Sequence, residues 1–277
     1  MAFRSHRIHG QMSESYITAV FLTLSGGFQD AYTYFFRGGV FANAQTGNIV
    51  LMSSHLFRGE WLSAVRYMIP LLSFGAGTYA AELVHRRFKP LEKVHWRQLI
   101  LLDEIIILFI VGFFPQNWSI PANAMVSFVC AMQVQSFRKV SGNAYASTMC
   151  IGNIRSGTEA LCVYFHTKDR MVLQKALQYF GVIFLFAVGA GSGCVLTACS
   201  GQYAIWYSCI LLTVSFCMMF IKEEISDNPQ LHAIEQQIHT EIAGLGQSLN
   251  EAESVLKKDI QQETHFIQKG EHHEKQH

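Results

Sequence analysis

Gly38-Gly39-Val40-Phe41-Ala42-Asn43-Ala44-Gln45-Thr46-Gly47-Asn48-Ile49-Val50-Leu51 is apolar enough to enter a bilayer, yet too rich in Gly, Asn, Gln and Thr to be a plain spanning helix. About a hundred residues later, Asn143-Ala144-Tyr145-Ala146-Ser147-Thr148-Met149-Cys150-Ile151-Gly152-Asn153-Ile154 echoes it. Both segments carry Gly-Asn-Ile.

The composition around them is that of a membrane protein. Of 277 residues, 50% are hydrophobic and only 15% are charged, where a soluble domain carries about 25% charged residues. There are 21 Phe. The first fifteen residues are polar and basic, and the apolar run behind them is long enough to span, so no cleavable signal is expected. The seven cysteines form no CxxC pair and read as small buried hydrophobes. Charge is divided unevenly. Residues 1–221 hold sixteen of the 21 Lys/Arg and nine of the 20 Asp/Glu, leaving an acidic balance in 222–277.

Working outward, spans are expected at Tyr16 to Phe36, Trp61 to His85, Gln98 to Pro115, Pro121 to Phe137, Ala176 to Ser200 and Tyr203 to Ile221. Their order repeats: span, Gly-Asn-Ile segment, a span with Gly75-Ala76-Gly77-Thr78 or Gly189-Ala190-Gly191-Ser192, then a span. The expected organisation is a cytoplasmic segment (1–15), membrane repeat 1 (16–115), membrane repeat 2 (121–221) and an acidic cytoplasmic helical tail (222–277).

Short loops rich in Lys and Arg stay in the cytoplasm. If 38–57 crossed fully, the loop 86–97, with five basic residues, would land outside. If 38–57 and 143–165 instead dip in and return, every basic loop and both termini lie inside. The expected fold is therefore an all-α membrane protein with six transmembrane helices plus two broken or re-entrant segments; eight spans is the rival. Three crossings per repeat turn the repeats opposite ways, a plan common in transporters, where irregular backbone lines a cavity.

Several residues carry the chemistry of such a path. In Gly47-Asn48 and Gly152-Asn153, glycine frees the backbone and the amide can either replace water around a solute or cap a broken helix. A half-helix starting there would present N–H groups and favour an anion or carbonyl oxygen. Asp30 lies inside the first span, where a charge is costly. Arg155 is the candidate partner, with Glu159 four residues on along the same helix; a buried ion pair that only fixes the fold is the structural alternative. Asn43, Thr46, Gln29 and Gln133 are further path-lining candidates. Glu82, Asp103 and Glu104 are expected to be solvated near span ends. The Gly-Ala-Gly runs read as helix-packing surfaces.

No GxSxG, HExxH or Walker loop is present, so neither an enzyme, a cofactor nor a metal site is expected, and the histidines at 265–277 read as a solvated tail. Apolar residues from Leu231 to Ile260 recur at three- and four-residue steps. This face suits packing on the membrane body or pairing in a homo-oligomer, which membrane helices could also mediate. The expected partners are the lipid bilayer and a small solute or ion, with no nucleic acid.

Gly27-Phe28-Gln29-Asp30-Ala31, Gly39-Val40-Phe41 with Asn43, Thr46-Gly47-Asn48 and Met132-Gln133 resemble motifs of the YoaK family of small bacterial multi-pass membrane proteins. The resemblance covers residues 16–221; Val134 and Ala131 depart from its second-half pattern. It implies the bacterial plasma membrane and about six spans, but names no substrate. Two functions are expected to compete: a transporter or channel with a central site between inverted halves, favoured by the polar broken segments, and a non-transporting scaffold or sensor whose tail binds a partner.

Overall fold

Helix α1 (Tyr16–Phe36) ends where the chain meets Gly38 and Gly39, whose φ angles of 91° and 75° lie in the left-handed region. In the computed structural model, which describes residues 16–88, 96–140, 143–145, 147, 148 and 150–227, an irregular loop then leads to α2 (Gln45–Phe57). The broken character expected of this stretch is thus a loop followed by a short helix. At about 1.5 Å per residue, the 13 residues of α2 reach about 20 Å, short of the ~30 Å hydrocarbon layer. Gly59 (φ 74°) closes it, with Gly59 N–H donating to Leu56 O at 3.1 Å.

The chain continues through α3 (Trp61–Phe88), α4 (Trp96–Val111), a 3₁₀ turn (Gln116–Trp118) and α5 (Ser119–Ser136). Two-residue strands β1 (Lys139–Val140) and β2 (Asn143–Ala144) pair antiparallel. They precede α6 (Cys150–Thr167), α7 (Arg170–Ser200), a second 3₁₀ turn (Gly201–Ala204) and α8 (Ile205–Asp227). Asp169 caps α7, accepting from Met171 N–H at 2.8 Å. Apart from the small β pair the described fold is all helical. The chain divides into two units, Met1–Ile221 and Lys222–His277, and the apolar core and the glycine contacts between helices belong to the first. The tail pattern over 231–260 lies outside the described residues.

Helices α1, α4, α5 and α8 share one apolar core, built from Leu22, Phe28, Tyr32, Leu101, Leu108, Val126, Val129, Ile205 and Leu212. Around it α7 lies along α1 and α3 along α5, while α2 rests on α3 and α6 on α7. Glycines allow the two long contacts. A Cβ on Gly189 would overlap Leu24 O, one on Gly27 would overlap Phe186 O, and one on Gly77 would overlap Phe128 O. Gly75 and Gly191, from the same runs, face open space.

Polarity is distributed inside out. Gln29, Arg37, Asn48 and Glu104 are fully buried, whereas Phe57, Leu62, Leu72, Phe184, Val195 and Ile210 are exposed. Glu104, expected to be solvated, is the clearest departure: it faces α1 and α8, while its neighbour Asp103 is exposed. The cysteines also depart in part. Cys130 and Cys209 are buried, but Cys162, Cys199 and Cys217 lie on the outer surface. Among the described residues, one helical run, Arg170–Met219, is long and apolar enough to cross a membrane, with a mean hydropathy of 2.1 in its most apolar window.

Candidate functional site

The site is built from the middle of α1, whose residues 25–33 are all buried. Helix α2 begins after Ala44, which offers no side chain to satisfy the free N–H groups at a helix start. Asp30, on α1, holds the loop just ahead of that start. Its Oδ1 accepts from Asn43 N–H at 2.7 Å. A carboxylate at the N-terminal end of a helix meets both unpaired donors and the positive end of the dipole. Of the N–H groups expected to favour an anionic cargo, those of Gln45, Gly47 and Asn48 donate to the carbonyls of Asn43 and Ala44 just ahead of the helix.

Asn48 stabilises the same loop. Its Oδ1 accepts from Phe41 N–H at 3.0 Å, and its Nδ2 donates to Phe41 O at 2.7 Å and to Gln45 Oε1 at 2.9 Å. Gly47 sits beneath the Phe41 ring, where a Cβ would come within 3.0 Å of Cδ2. Thr46 is exposed. Asn48 and Gly47 thus shape the loop, the capping alternative. Asn43 donates from Nδ2 to Gly26 O at 3.3 Å, but its buried Oδ1 has no partner.

One residue further back, Gln29 is the hub of a polar network joining four helices. Three oxygens surround its Nε2: Ser25 Oγ at 2.9 Å, Glu104 Oε1 at 3.1 Å and Ser208 Oγ at 3.1 Å. Its Oε1 accepts from Cys130 Sγ at 2.6 Å, and Ser25 and Ser208 share a hydrogen bond at 2.6 Å. Glu104 Oε2 is buried with no partner. On α5, Gln133 donates to Ser147 Oγ at 2.9 Å and Leu22 O at 3.3 Å, and its Oε1 is likewise unpartnered. Ser127, Thr148, Thr197 and Ser215 add buried hydroxyls without partners.

The second Gly-Asn segment is placed like the first. Asn48 and Asn153 are each the fourth residue of their helices, and both are buried. Gly152 faces open space. Arg155 and Glu159, however, are exposed on α6, and among the described residues no ion pair joins either to Asp30 or to the other. The expected Asp30–Arg155 pair is not formed: Asp30 is buried against the Asn43 amide and Arg155 lies on the exposed face of α6.

Arg37, which sequence reasoning misses, is a buried charge immediately after α1. It donates from Nη1 to Pro115 O at 2.9 Å and from Nη2 to Phe114 O at 2.8 Å and Val111 O at 3.3 Å. Its Nε and Nη2 also reach Tyr32 Oη at 2.9 and 2.7 Å. The guanidinium sits at the carbonyl end of α4, where the dipole is negative. Its only signal in the sequence is a lone Arg ahead of Gly38-Gly39 at a span end. Among the described residues no group of three or more His, Cys, Asp or Glu could hold a metal ion.

Comparison with known proteins places this arrangement. No curated protein and no solved structure matches the chain. The family model described as "Protein of unknown function (DUF1275)" matches residues 18–218, which hold the whole of the network around Gln29 and both Gly-Asn segments, and the chain belongs to that family.

Proposed function

We propose that the chain is a multi-pass protein of the bacterial plasma membrane that passes a small polar solute or ion through the interior between two inverted halves. The observation that carries this reading is the set of unpartnered buried oxygens, Asn43 Oδ1, Glu104 Oε2 and Gln133 Oε1, inside a bundle that turns many large apolar side chains outward. A buried acceptor without a donor costs about 1–3 kcal/mol. Retaining several in one interior is understandable where a passing ligand or water supplies the missing donors. All the orphans are oxygens, so the cargo class they suit is a cation or a hydrogen-bond donor.

The membrane placement draws on two further features. In the run Arg170–Met219 only 22% of the most apolar window is buried, unlike the core helix of a soluble protein. Other helices carry polar residues such as Gln29, Glu104 and Gln133 inward, which lowers their mean hydropathy; α4, at 16 residues, is short as well. The inverted repeat is supported by the exchanged packing. The first helix of each half lies along the third helix of the other, α1 on α7 and α5 on α3, and Gly-Asn opens the second helix of each. The YoaK resemblance is consistent with the same plan.

The test is flux. Purified protein reconstituted in vesicles is offered protons, alkali cations, ammonium and neutral hydrogen-bond donors. Wild type should carry one of these classes, and Glu104→Gln should lower that flux at least about tenfold, the scale of one charge-assisted hydrogen bond, while remaining folded. No flux across the panel would move the chain to the scaffold or sensor reading.

A further inference from the structure

The two polar segments converge on one residue of α1. From the first, Asn43 N–H donates to Asp30 Oδ1 at 2.7 Å and Asn43 Nδ2 donates to Gly26 O at 3.3 Å. From the second, the Tyr145 hydroxyl shares a hydrogen bond with Thr23 Oγ1 at 2.8 Å. Thr148 lies against Gly26, where a Cβ would come within 2.5 Å of Thr148 Cγ2. One segment thus follows α1 back from Asp30, the other follows it forward from Thr23, and both reach Gly26. Gly26 is the central residue of the 21 in α1, so the membrane placement proposed above puts the meeting point near mid-bilayer.

Both segments leave oxygen unserved at this point. Asn43 Oδ1 and Thr148 Oγ1 have no hydrogen-bond partner, and neither has the Oε1 of Gln133, whose Nε2 reaches Leu22 O one turn before Gly26. Asn43, Thr148 and Gln133 are 5%, 8% and 1% exposed, so the missing partner has to come from within the bundle. The amides cannot turn round to offer nitrogen instead. Asn43 Nδ2 is held by Gly26 O, and Gln133 Nε2 by Leu22 O and Ser147 Oγ. A carbonyl oxygen only accepts, so each amide keeps its nitrogen on that carbonyl and its own oxygen free.

Amide and hydroxyl oxygens beside a carboxylate are hard ligands, suited to a hard cation. Asp30 is the acid bonded to this loop, and among the described residues no Lys, Arg or His forms an ion pair with it. One acid among neutral oxygens matches a single positive charge, whereas calcium sites draw on several carboxylates. Carbonyl oxygens replace the hydration shell of such an ion at membrane depth, and ion sites of inverted-repeat proteins lie near the midplane. We propose that a monovalent cation binds at Gly26, where the two polar segments meet, with Asn43 Oδ1 and Thr148 Oγ1 among its ligands and Asp30 balancing its charge. The inference rests on the transport reading and narrows its cargo from cations and hydrogen-bond donors at large to a monovalent cation.

The experiment is a binding titration on the full chain in detergent. The unfolding midpoint is followed against sodium, potassium and ammonium chloride, with N-methylglucamine chloride holding the ionic strength constant. For wild type, at least one of the three should raise the midpoint saturably. Thr148→Val keeps a methyl group against Gly26 and removes an oxygen that has no partner, so it should fold at least as well as wild type. It should nevertheless weaken the apparent affinity about tenfold, the scale of one polar contact to a charged group. Thr167→Val, at the exposed end of α6, should leave the affinity unchanged. No saturable effect in wild type, or equal affinity in folded Thr148→Val, overturns the proposal. If Thr148→Val does not fold, Asp30→Asn, whose amide oxygen can still accept from Asn43 N–H, should show the same loss, and unchanged affinity there overturns it too. The flux assay separates this site from the transport reading. Saturable binding lost in Thr148→Val, without flux, supports the site and sinks transport; cation flux indifferent to Thr148→Val keeps transport and removes the site.

Discussion

Asn48 grips the peptide of Phe41 at both ends, accepting from its N–H at 3.0 Å and donating to its C=O at 2.7 Å. The pairing copies one rung of a β-ladder with a side chain, and it holds the loop over the start of α2. Asn48→Ala removes both bonds and should cost about 2–3 kcal/mol, read as a lowered unfolding midpoint in detergent. Thr46→Ala, two residues away and exposed, should leave the midpoint unchanged. Equal midpoints for the two variants would sink the clamp.

Gln29 and Glu104 meet at 3.1 Å, both fully buried. Single replacements by Leu each strand partners, so a double-mutant cycle should return a coupling of about 1–3 kcal/mol. Glu104→Gln should be milder, because its amide oxygen can still accept from Gln29. Additive single effects would mean that the two side chains act independently.

Arg37 serves three carbonyls and the Tyr32 hydroxyl from one fork. Lysine has the charge but not the geometry. Arg37→Lys should therefore lose about 2–3 kcal/mol and Arg37→Ala more, since several carbonyls are then left unserved. A lysine variant as stable as wild type would show that charge alone is needed.

Glycines two residues apart should differ sharply. A Cβ on Gly189 meets Leu24 O and one on Gly77 meets Phe128 O, whereas Gly75 and Gly191 face open space. Gly189→Val and Gly77→Val should abolish folding or cost several kcal/mol, of order the upper range for overpacking. Gly191→Val and Gly75→Val should stay near wild type, apart from helix-propensity changes below about 1 kcal/mol. Yield and monodispersity in detergent give the readout.

Topology is tested by labelling introduced cysteines with an impermeant reagent on intact cells. Gly59→Cys, in the turn after α2, should react from outside, and Arg87→Cys, at the end of α3, only after permeabilisation. Reaction of both positions from the same side would remove the inverted arrangement.

Much of this architecture was legible. The end of α1 at Phe36 followed from an apolar run meeting Gly38-Gly39. The loop and short helix behind it followed from polar residues that a spanning helix would not carry. What escaped were partnerships between side chains and backbone. Composition invited a search for a cation opposite Asp30, but its partner is the backbone N–H of Asn43. Likewise Arg37 was neutralised by helix carbonyls, and Glu104 was buried by the amide of Gln29, 75 residues earlier in the chain. Peptide groups are the same in every sequence, so a charge answered by backbone leaves no complementary letter to find.

The lengthwise contacts of α1 with α7 and of α5 with α3 also set a timetable for synthesis. The last residue of α1 is number 36, and α7 ends only at residue 200. At about 5–20 residues per second, α1 waits on the order of ten to thirty seconds for its main neighbour. Throughout that interval the buried face of α1, with Gln29, Asp30 and Arg37, must be sheltered by something other than its final partner. A half-length product ending near residue 115 would never be relieved of that need.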